Sequence, residues 1–195
     1  MSTPKENTDL RVRRTQTAIR EALLSLIEEK GFEAIIVQDI ADRAMINRVT
    51  FYKHYRDKYD LLEKTMNEMY QELMARVKVA PSSPPDRVIF NLLVLWLEEV
   101  IKYASFYRTM LGKEGSPAFT SQVRKQLGSL IADAVEQLST SHDRNDTSFT
   151  IQLQFTIGGF LSVTEWWLDR QPSMPIEQVA SQLQHLLFRV INYNL

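Results

Sequence analysis

The stretch Gln38–Tyr55, QDIADRAMINRVTFYKHY, constrains this chain more than any other, because it holds two patterned segments too short to stand alone. Isolated helices below about 12–15 residues are marginal in water, so both must be held by packing against neighbouring elements. The first runs from about Gln38 to Ala44, with Ile40, Ala41 and Ala44 as its inner face, and the second from about Arg48 to Tyr55. Asn47 precedes the second, where its short side chain can accept from the free N–H groups of the first turn. The pair needs a third helix. Upstream, Ala18, Ala22, Leu23, Leu26 and Ile27 recur at helical spacing from about Arg11, with Gly31 as a stop, and Phe32, Ile35, Ile36 and Val37 form an apolar connection.

Such a three-helix unit has a purpose when the outer face of its last helix is used. Val49 and either Tyr52 or Phe51 can dock inward, leaving Arg48, Thr50, Lys53 and His54 on or near the exposed side, with Arg56 and Lys58 just beyond. From Arg43 to Lys58 five Lys or Arg residues (43, 48, 53, 56 and 58) meet one acid, Asp57, a local charge of about +4 (5 − 1) in a chain whose formal net charge is -1. Nucleic-acid affinity must therefore be a local property. A short basic helix fits a major groove, with N-terminal side chains toward base edges and flanking cations on phosphates; a merely solvated face has the same composition. Arg11, Arg13, Arg14 and Arg20 crowd the start of the first helix, where the helix dipole disfavours cations. An anionic partner would account for them, as would a solubilising basic tail.

The block from Arg14 to Leu62, with GFEAIIVQDIADRA followed by RVTFYKHYRDKYDLL, resembles the DNA-binding region of the TetR/AcrR family of transcriptional regulators. D-I-A-x-x-A, T-F-Y-x-H-Y and D-K-x-x-L-L occur in order over about a quarter of the chain. The resemblance implies that Arg48 and Thr50 read bases or backbone, that Tyr52, Lys53 and His54 contact groove and phosphate, and that Lys58, opening a fourth helix, contacts a phosphate. Three positions depart from the family pattern. Ile36 stands where a capping Thr is usual, a loss of about 1 kcal/mol. Met45 occupies a turn position usually filled by Gly, which adds roughly 1–2 kcal/mol of strain if the backbone there is left-handed. Val49 replaces a commonly small residue and would hold the helix slightly away from a groove.

The remaining sequence predicts more helices, giving an all-α chain of about nine. Tyr59, Leu62, Met66, Met69, Leu73 and Val77 trace a fourth helix from about Asp57 toward Val79, and the Pro- and Ser-rich run from Pro81 to Pro85 interrupts the pattern. A fifth helix follows Val88, Leu92, Leu95, Trp96, Val100 and Ala104; a short sixth spans Ser105–Leu111, closed by Gly112 and Gly115; a seventh runs from about Pro117 to Leu138. Residues 139–148 read as a polar loop. Apolar residues at 149, 151, 153, 155 and 157 alternate as in a strand, but no partner strand is visible and the apolar character continues through Trp167, so a helix covered on two faces is expected, with Gly158 and Gly159 permitting close backbone approach. Pro172 and Pro175 separate it from a last helix carrying Ile176, Val179, Leu183, Leu186, Leu187, Val190 and Ile191. Two such helices per chain can form a four-helix bundle across a twofold axis, and a homodimer is expected. The domain reading is an arm over 1–10, a helix-turn-helix unit over 11–56, and an effector-binding and dimerisation domain over 57–195.

Other chemistry finds no support. There is no cysteine, and the three histidines, His54, His142 and His185, have no metal-site spacing. No nucleophile elbow, P-loop or dinucleotide fingerprint appears, so no enzyme and no cofactor are expected. Without a signal-like h-region or an uncharged apolar run approaching about 18 residues, the expectation is a cytoplasmic protein with no membrane partner. Met66, Trp96, Tyr103, Tyr107, Phe155 and Trp166 are the candidate lining of an apolar effector cavity, as the family's regulatory domains commonly have. The combined expectation is a regulator, a repressor by family analogy, released from a palindromic double-stranded operator by a small hydrophobic effector. Its half-sites would lie about one helical turn, roughly 34 Å, apart. The alternative is a ligand-sensing dimer that acts through a protein partner with weak or no DNA binding, favoured by Ile36, Met45 and Val49.

Overall fold

The computed structural model describes residues 4–77, 84–112, 115–138, 147–170 and 174–190, with the side chains of 4–9, 85 and 134–138 outside the description. Nine helices and no strand occur among the described residues: α1 Pro4–Lys30, α2 Val37–Arg43, α3 Arg48–Tyr52, α4 Lys58–Arg76, α5 Pro85–Lys102, α6 Ala104–Leu111, α7 Pro117–Leu138, α8 Thr147–Asp169 and α9 Ile176–Val190. The expected break at Pro81–Ser83, most of the polar loop with His142, Pro172 and Ile191 lie outside the described residues.

The first helix departs from expectation at its start. It begins at Pro4 rather than Arg11, so most of the expected arm is helical. Pro is well suited to a first helical turn, where its missing N–H has no partner to lose. Arg11, Arg13 and Arg14 thus sit inside the helix, exposed and beyond the first turn. The dipole argument for an anionic partner at these arginines does not apply, because that effect fades within the first turn. The inner stripe of α1 is Ile19, Ala22, Leu23, Leu26 and Ile27, all buried.

The alternation in α8 resolves into two helical stripes. Phe149, Ile157, Phe160, Thr164, Trp167 and Leu168 face inward, while Ile151, Phe155, Gly159, Ser162 and Trp166 run along the exposed face at steps of three or four. Two apolar stripes on opposite sides of a helix, offset by two residues, imitate a strand in sequence. The core is continuous from α1 through Leu61, Leu62, Met66, Met69 and Leu73 of α4 into Trp96, Leu97, Phe106, Phe119, Phe160 and Trp167, so the N-terminal and C-terminal helices share one packed interior. α5 packs along α9, where Gln184 donates to the Asp86 carbonyl. No helix among the described residues is long and apolar enough to cross a membrane.

Candidate nucleic-acid interface and effector cavity

α2 and α3 form a helix-turn-helix whose short members are held by caps. Asn47 accepts from the Thr50 N–H at 2.7 Å and from its hydroxyl at 3.0 Å. Ile36, at the head of α2, gives no side-chain cap, as expected, but half of a capping box survives because its own N–H donates to Asp39 at 2.8 Å. The Asp39 carboxyl lies below its ordinary range, first because of the Lys30 ammonium at 2.6 Å and then because of that N–H. The acid three residues after the cap position was legible as the sign of this substitute. Met45 has φ 53, the left-handed backbone that its family position implies.

α3 is shorter than the sequence suggested, five residues ending at Tyr52, and presents a narrower surface. Phe51 is the inward anchor at 0% exposure, packed on Tyr52 and Tyr55. Val49, expected to dock inward, is instead 66% exposed, because two residues from Phe51 is about 200° around a helix. Arg48, Tyr52 and Lys53 are exposed and Thr50 and His54 half-buried; Arg48 lies on the Tyr52 ring at 5.8 Å and donates to its hydroxyl at 3.2 Å.

The cations of the basic stretch are not equivalent. Arg43 makes two 2.7 Å hydrogen bonds to Glu29, which raise the guanidinium pKa and lower the carboxyl's, and a third to Ser25. Arg56 donates to the buried Asp60 from its backbone at 3.0 Å and its side chain at 3.3 Å, the first of these being the main cause of that carboxyl's lowered pKa. Lys58 is turned inward: its ammonium donates to the Phe32 and Glu33 carbonyls at 3.0 and 2.9 Å and covers the Phe32 ring at 4.8 Å. The Glu33 carboxylate lies 3.9 Å from the same ammonium. The local excess read from sequence is thus largely met by Glu29, Glu33 and Asp60, leaving Arg48 and Lys53 as the outward charges of α3.

The sequence reasoning missed the residues that fasten this unit to α4. Lys64 donates to the His54 carbonyl at 3.1 Å and to Asp60 at 3.0 Å and lies 5.0 Å from the Tyr55 ring. Arg20 of α1 binds Glu72 at 2.8 Å and Glu68 at 3.4 Å; the Glu72 bond is the main cause of the raised guanidinium pKa. Burial pushes the Tyr55 hydroxyl up to about 12. At the far end of α4, Arg76 pairs with the buried Glu99 of α5 at 3.0 Å and with Glu98 at 2.7 Å.

Among the cavities of the C-terminal half, two are lined mainly by apolar side chains. The larger, about 220 Å³, is walled by α5, α7, α8 and α9 through residues that include Leu93, Trp96, Leu127, Phe155, Phe160 and Leu187. A smaller one of about 20 Å³ lies against α4, between Met66, Met69, Trp96, Glu99, Tyr107 and Phe119. Trp96 borders both. Burial pushes the Tyr107 hydroxyl pKa well above its ordinary value. Of the six expected lining residues, Trp96 and Phe155 meet the large cavity and Met66, Trp96 and Tyr107 the small one. Tyr103 and Trp166 line neither: Tyr103 lies beneath the Lys102 ammonium at 4.6 Å, and Trp166 is exposed beneath Arg170 at 5.2 Å. The aliphatic lining, legible only as ordinary core stripes, gave no separate signal.

Comparison with known proteins agrees with this architecture. The family described as Bacterial regulatory proteins, tetR family, matches residues 19–65, and the one described as Transcriptional regulator C-terminal region, TetR_C_8, matches residues 89–189. The HTH-type transcriptional regulator YuxN of Bacillus subtilis (strain 168) is 28% identical over 152 residues, covering 74% of this chain and 52% of that protein. The chain spans about half the length, or less, of the curated relatives it matches. A TetR transcriptional regulator from Streptococcus agalactiae 2603V superposes with a TM-score of 0.68 over 92% of this chain and 97% of that one at 23% identity. A TetR-family structure from Syntrophomonas wolfei gives 0.69 over 94% and 97% at 13% identity. These structural likenesses concern the fold.

Proposed function

The chain belongs to the TetR family of bacterial transcriptional regulators, and we propose that it acts as a homodimeric repressor that reads a palindromic operator through α3 and is released by a small apolar effector. The observation that carries this reading is the join between α3 and α4. The His54 carbonyl accepts from Lys64 and Tyr55 packs beneath that ammonium, which ties the chain just after α3 to α4; in this scheme the two helices move together. In this scheme Arg48 and Thr50 meet base edges or backbone, Tyr52, Lys53 and His54 the groove wall and phosphates, and Lys58 gives one N–H to a phosphate while holding the α1–α2 connection. Val49, outward at the groove, can touch a thymine methyl.

Release follows from coupling two states of the dimer. An effector that prefers a displaced α4 draws the population toward wrongly spaced α3 helices, and affinity for DNA falls by the same coupling factor. The small cavity touches α4 directly, and Trp96 connects it to the large one, so Met66 and Tyr107 sense the effector through Trp96. Dimerisation is supported by Gly158 and Gly159. A Cβ at either would meet nothing within 4 Å in this chain, yet each glycine lowers helix stability by about 1 kcal/mol. Close approach of a second α8 gives them a purpose.

Titration of a fluorescent fragment from the upstream region of its own gene, at two salt concentrations, tests the reading. Saturable, salt-sensitive and sequence-preferring binding is expected, with Arg48→Ala losing about 1–3 kcal/mol of discrimination at particular bases and Lys53→Ala weakening all sequences alike. Equal losses on cognate and scrambled DNA from both variants overturn the role assignments. Absence of any binding favours the second reading, a sensor acting through a protein partner, for which the adjoining exposed Met45, Val49 and Tyr52 would be the contact.

A further inference from the structure

The two side chains that open α3 differ in kind, and each has its own chemical match in a DNA groove. Arg48 and Val49 are the first two residues of the helix, and both are exposed, Val49 at 66%. Thr50, which follows, is half-buried, and its hydroxyl donates to Asn47 at 3.0 Å, so its one proton is already given. α3 contains no acid. A helix laid in a major groove turns its first residues to the base edges. In that position α3 offers one side chain that only donates and one that is hydrocarbon.

Arg48 differs from the arginines around it. Arg43 is paired with Glu29 and Arg56 with Asp60, whereas Arg48 meets Tyr52 and no carboxylate among the described residues. Its guanidinium lies 5.8 Å from the centre of the Tyr52 ring, one turn along, and donates to the phenolic oxygen at 3.2 Å. The Tyr52 ring in turn meets the buried Phe51 edge to face at 5.5 Å. The platform is thus fixed to the core while the guanidinium stays exposed and keeps its charge uncompensated.

A side chain held in this way loses less freedom on binding. With one of five N–H groups occupied, the guanidinium still has a forked edge, which fits two acceptors side by side. Guanine presents N7 and O6 in that arrangement, whereas adenine sets an N6 donor beside its N7 and cytosine presents a donor. Val49 has no hydrogen bond to offer, and the hydrocarbon group on a base edge in the major groove is the thymine methyl. Neighbouring Cα atoms are about 3.8 Å apart and stacked base pairs about 3.4 Å, so the two contacts fall within about two base pairs of each other.

We propose that each operator half-site carries a guanine bound by the Arg48 fork, with Tyr52 holding that fork in place, and beside it a thymine whose methyl packs on Val49. The base assignment rests on the DNA-reading function proposed above and deepens it by naming the bases. Tyr52 is then a positioning residue for Arg48.

The test presents the full chain with duplexes randomised over about 30 base pairs, enough for two half-sites a helical turn apart. The selected duplex is rebuilt with single 7-deazaguanines, which lack the N7 acceptor, or single uracils, which lack the methyl, and titrated by fluorescence. One guanine per half-site is expected to lose about five- to twentyfold in affinity on replacement, and a thymine within about two base pairs of it about three- to fivefold. Arg48→Lys keeps the charge without the fork and should erase the guanine effect; Val49→Ser should erase most of the uracil effect. Tyr52→Phe keeps the ring and should shrink the guanine to 7-deazaguanine ratio about two- to fivefold. Equal weakening of both duplexes by Tyr52→Phe overturns the positioning role. Half-sites in which every guanine tolerates 7-deazaguanine overturn the fork, and thymines that all tolerate uracil overturn the Val49 contact; both outcomes are read with the unaltered chain. A pool from which no sequence is enriched overturns the DNA-reading function, and the base assignment with it.

Discussion

The outer face of α3 and the cavity beneath α8 and α9 solve different problems with the same kind of element. On α3, holding and the proposed reading are divided among residues: Phe51 faces the core, while Arg48 and Lys53 face solvent. At the cavity no such division exists. Trp96, Leu127 and Phe160 are part of the continuous core and are also the walls of the site. A surface site can therefore change its specificity without touching stability, whereas a site made of unfilled core must exchange one for the other.

The sharpest way to break this contrast is to remove one anchor from each. Phe51→Ala should lower unfolding free energy by about 3–5 kcal/mol and abolish operator binding, since Phe51 is the buried residue of α3. Leu127→Ala should lower it by about 2–5 kcal/mol and yet admit bulkier ligands, because the lost volume adds to the cavity. Urea denaturation reads the stabilities, and octanol against a branched alcohol reads the cavity. A Phe51→Ala protein with near-native stability would show that α3 is not anchored as described, and a Leu127→Ala protein with an unchanged ligand range would show that the wall repacks.

The same division explains what the sequence made legible. Periodicity located α2, α7 and α9 closely because one buried face dominates each, and Asn47 marked the start of α3 through its own chemistry. The orientation of Val49 did not follow, since in a helix of five residues a change of anchor from Val49 to Phe51 reverses which face is outward. Charge counting overstated the basic patch because the acids that meet it, Glu29, Glu33 and Asp60, come from α1, the connection after it and α4. Tyr103 and Trp166 read as lining because aromatic type is visible in sequence and its depth is not. A void between four helices has no sequence signature of its own, since its walls are the residues that make an ordinary core.

Lys58 tests whether a residue can belong to both kinds of site. Its ammonium joins two carbonyls of the α1–α2 connection at the start of α4, with the side chain 14% exposed. Lys58→Ala should cost about 1.5–3 kcal/mol of stability, in the range of a charge-assisted hydrogen bond, besides weakening all DNA sequences equally. Arg48→Ala, on the exposed face, should leave stability within about 0.5 kcal/mol. If Lys58→Ala weakens DNA binding with no change in the urea midpoint, the lysine serves phosphate alone and its inward contacts carry no weight.

The smallest effect should be a gain. Met45 holds φ 53 with its side chain 92% exposed, so it is strained and makes little contact in return. A left-handed non-glycine residue carries roughly 1–2 kcal/mol of strain, and glycine gives back part of that relief through its greater freedom when unfolded. Met45→Gly should therefore stabilise the protein by about 0.5–1 kcal/mol and leave operator affinity unchanged, measured by urea denaturation and by the same fluorescence titration. The two readouts separate the roles of the turn. Increased stability with unaltered DNA binding means Met45 only closes the connection between α2 and α3. Increased stability with a loss of affinity means that its exposed side chain touches the bound partner, and the division between holding and reading then fails at the residue where the two helices meet.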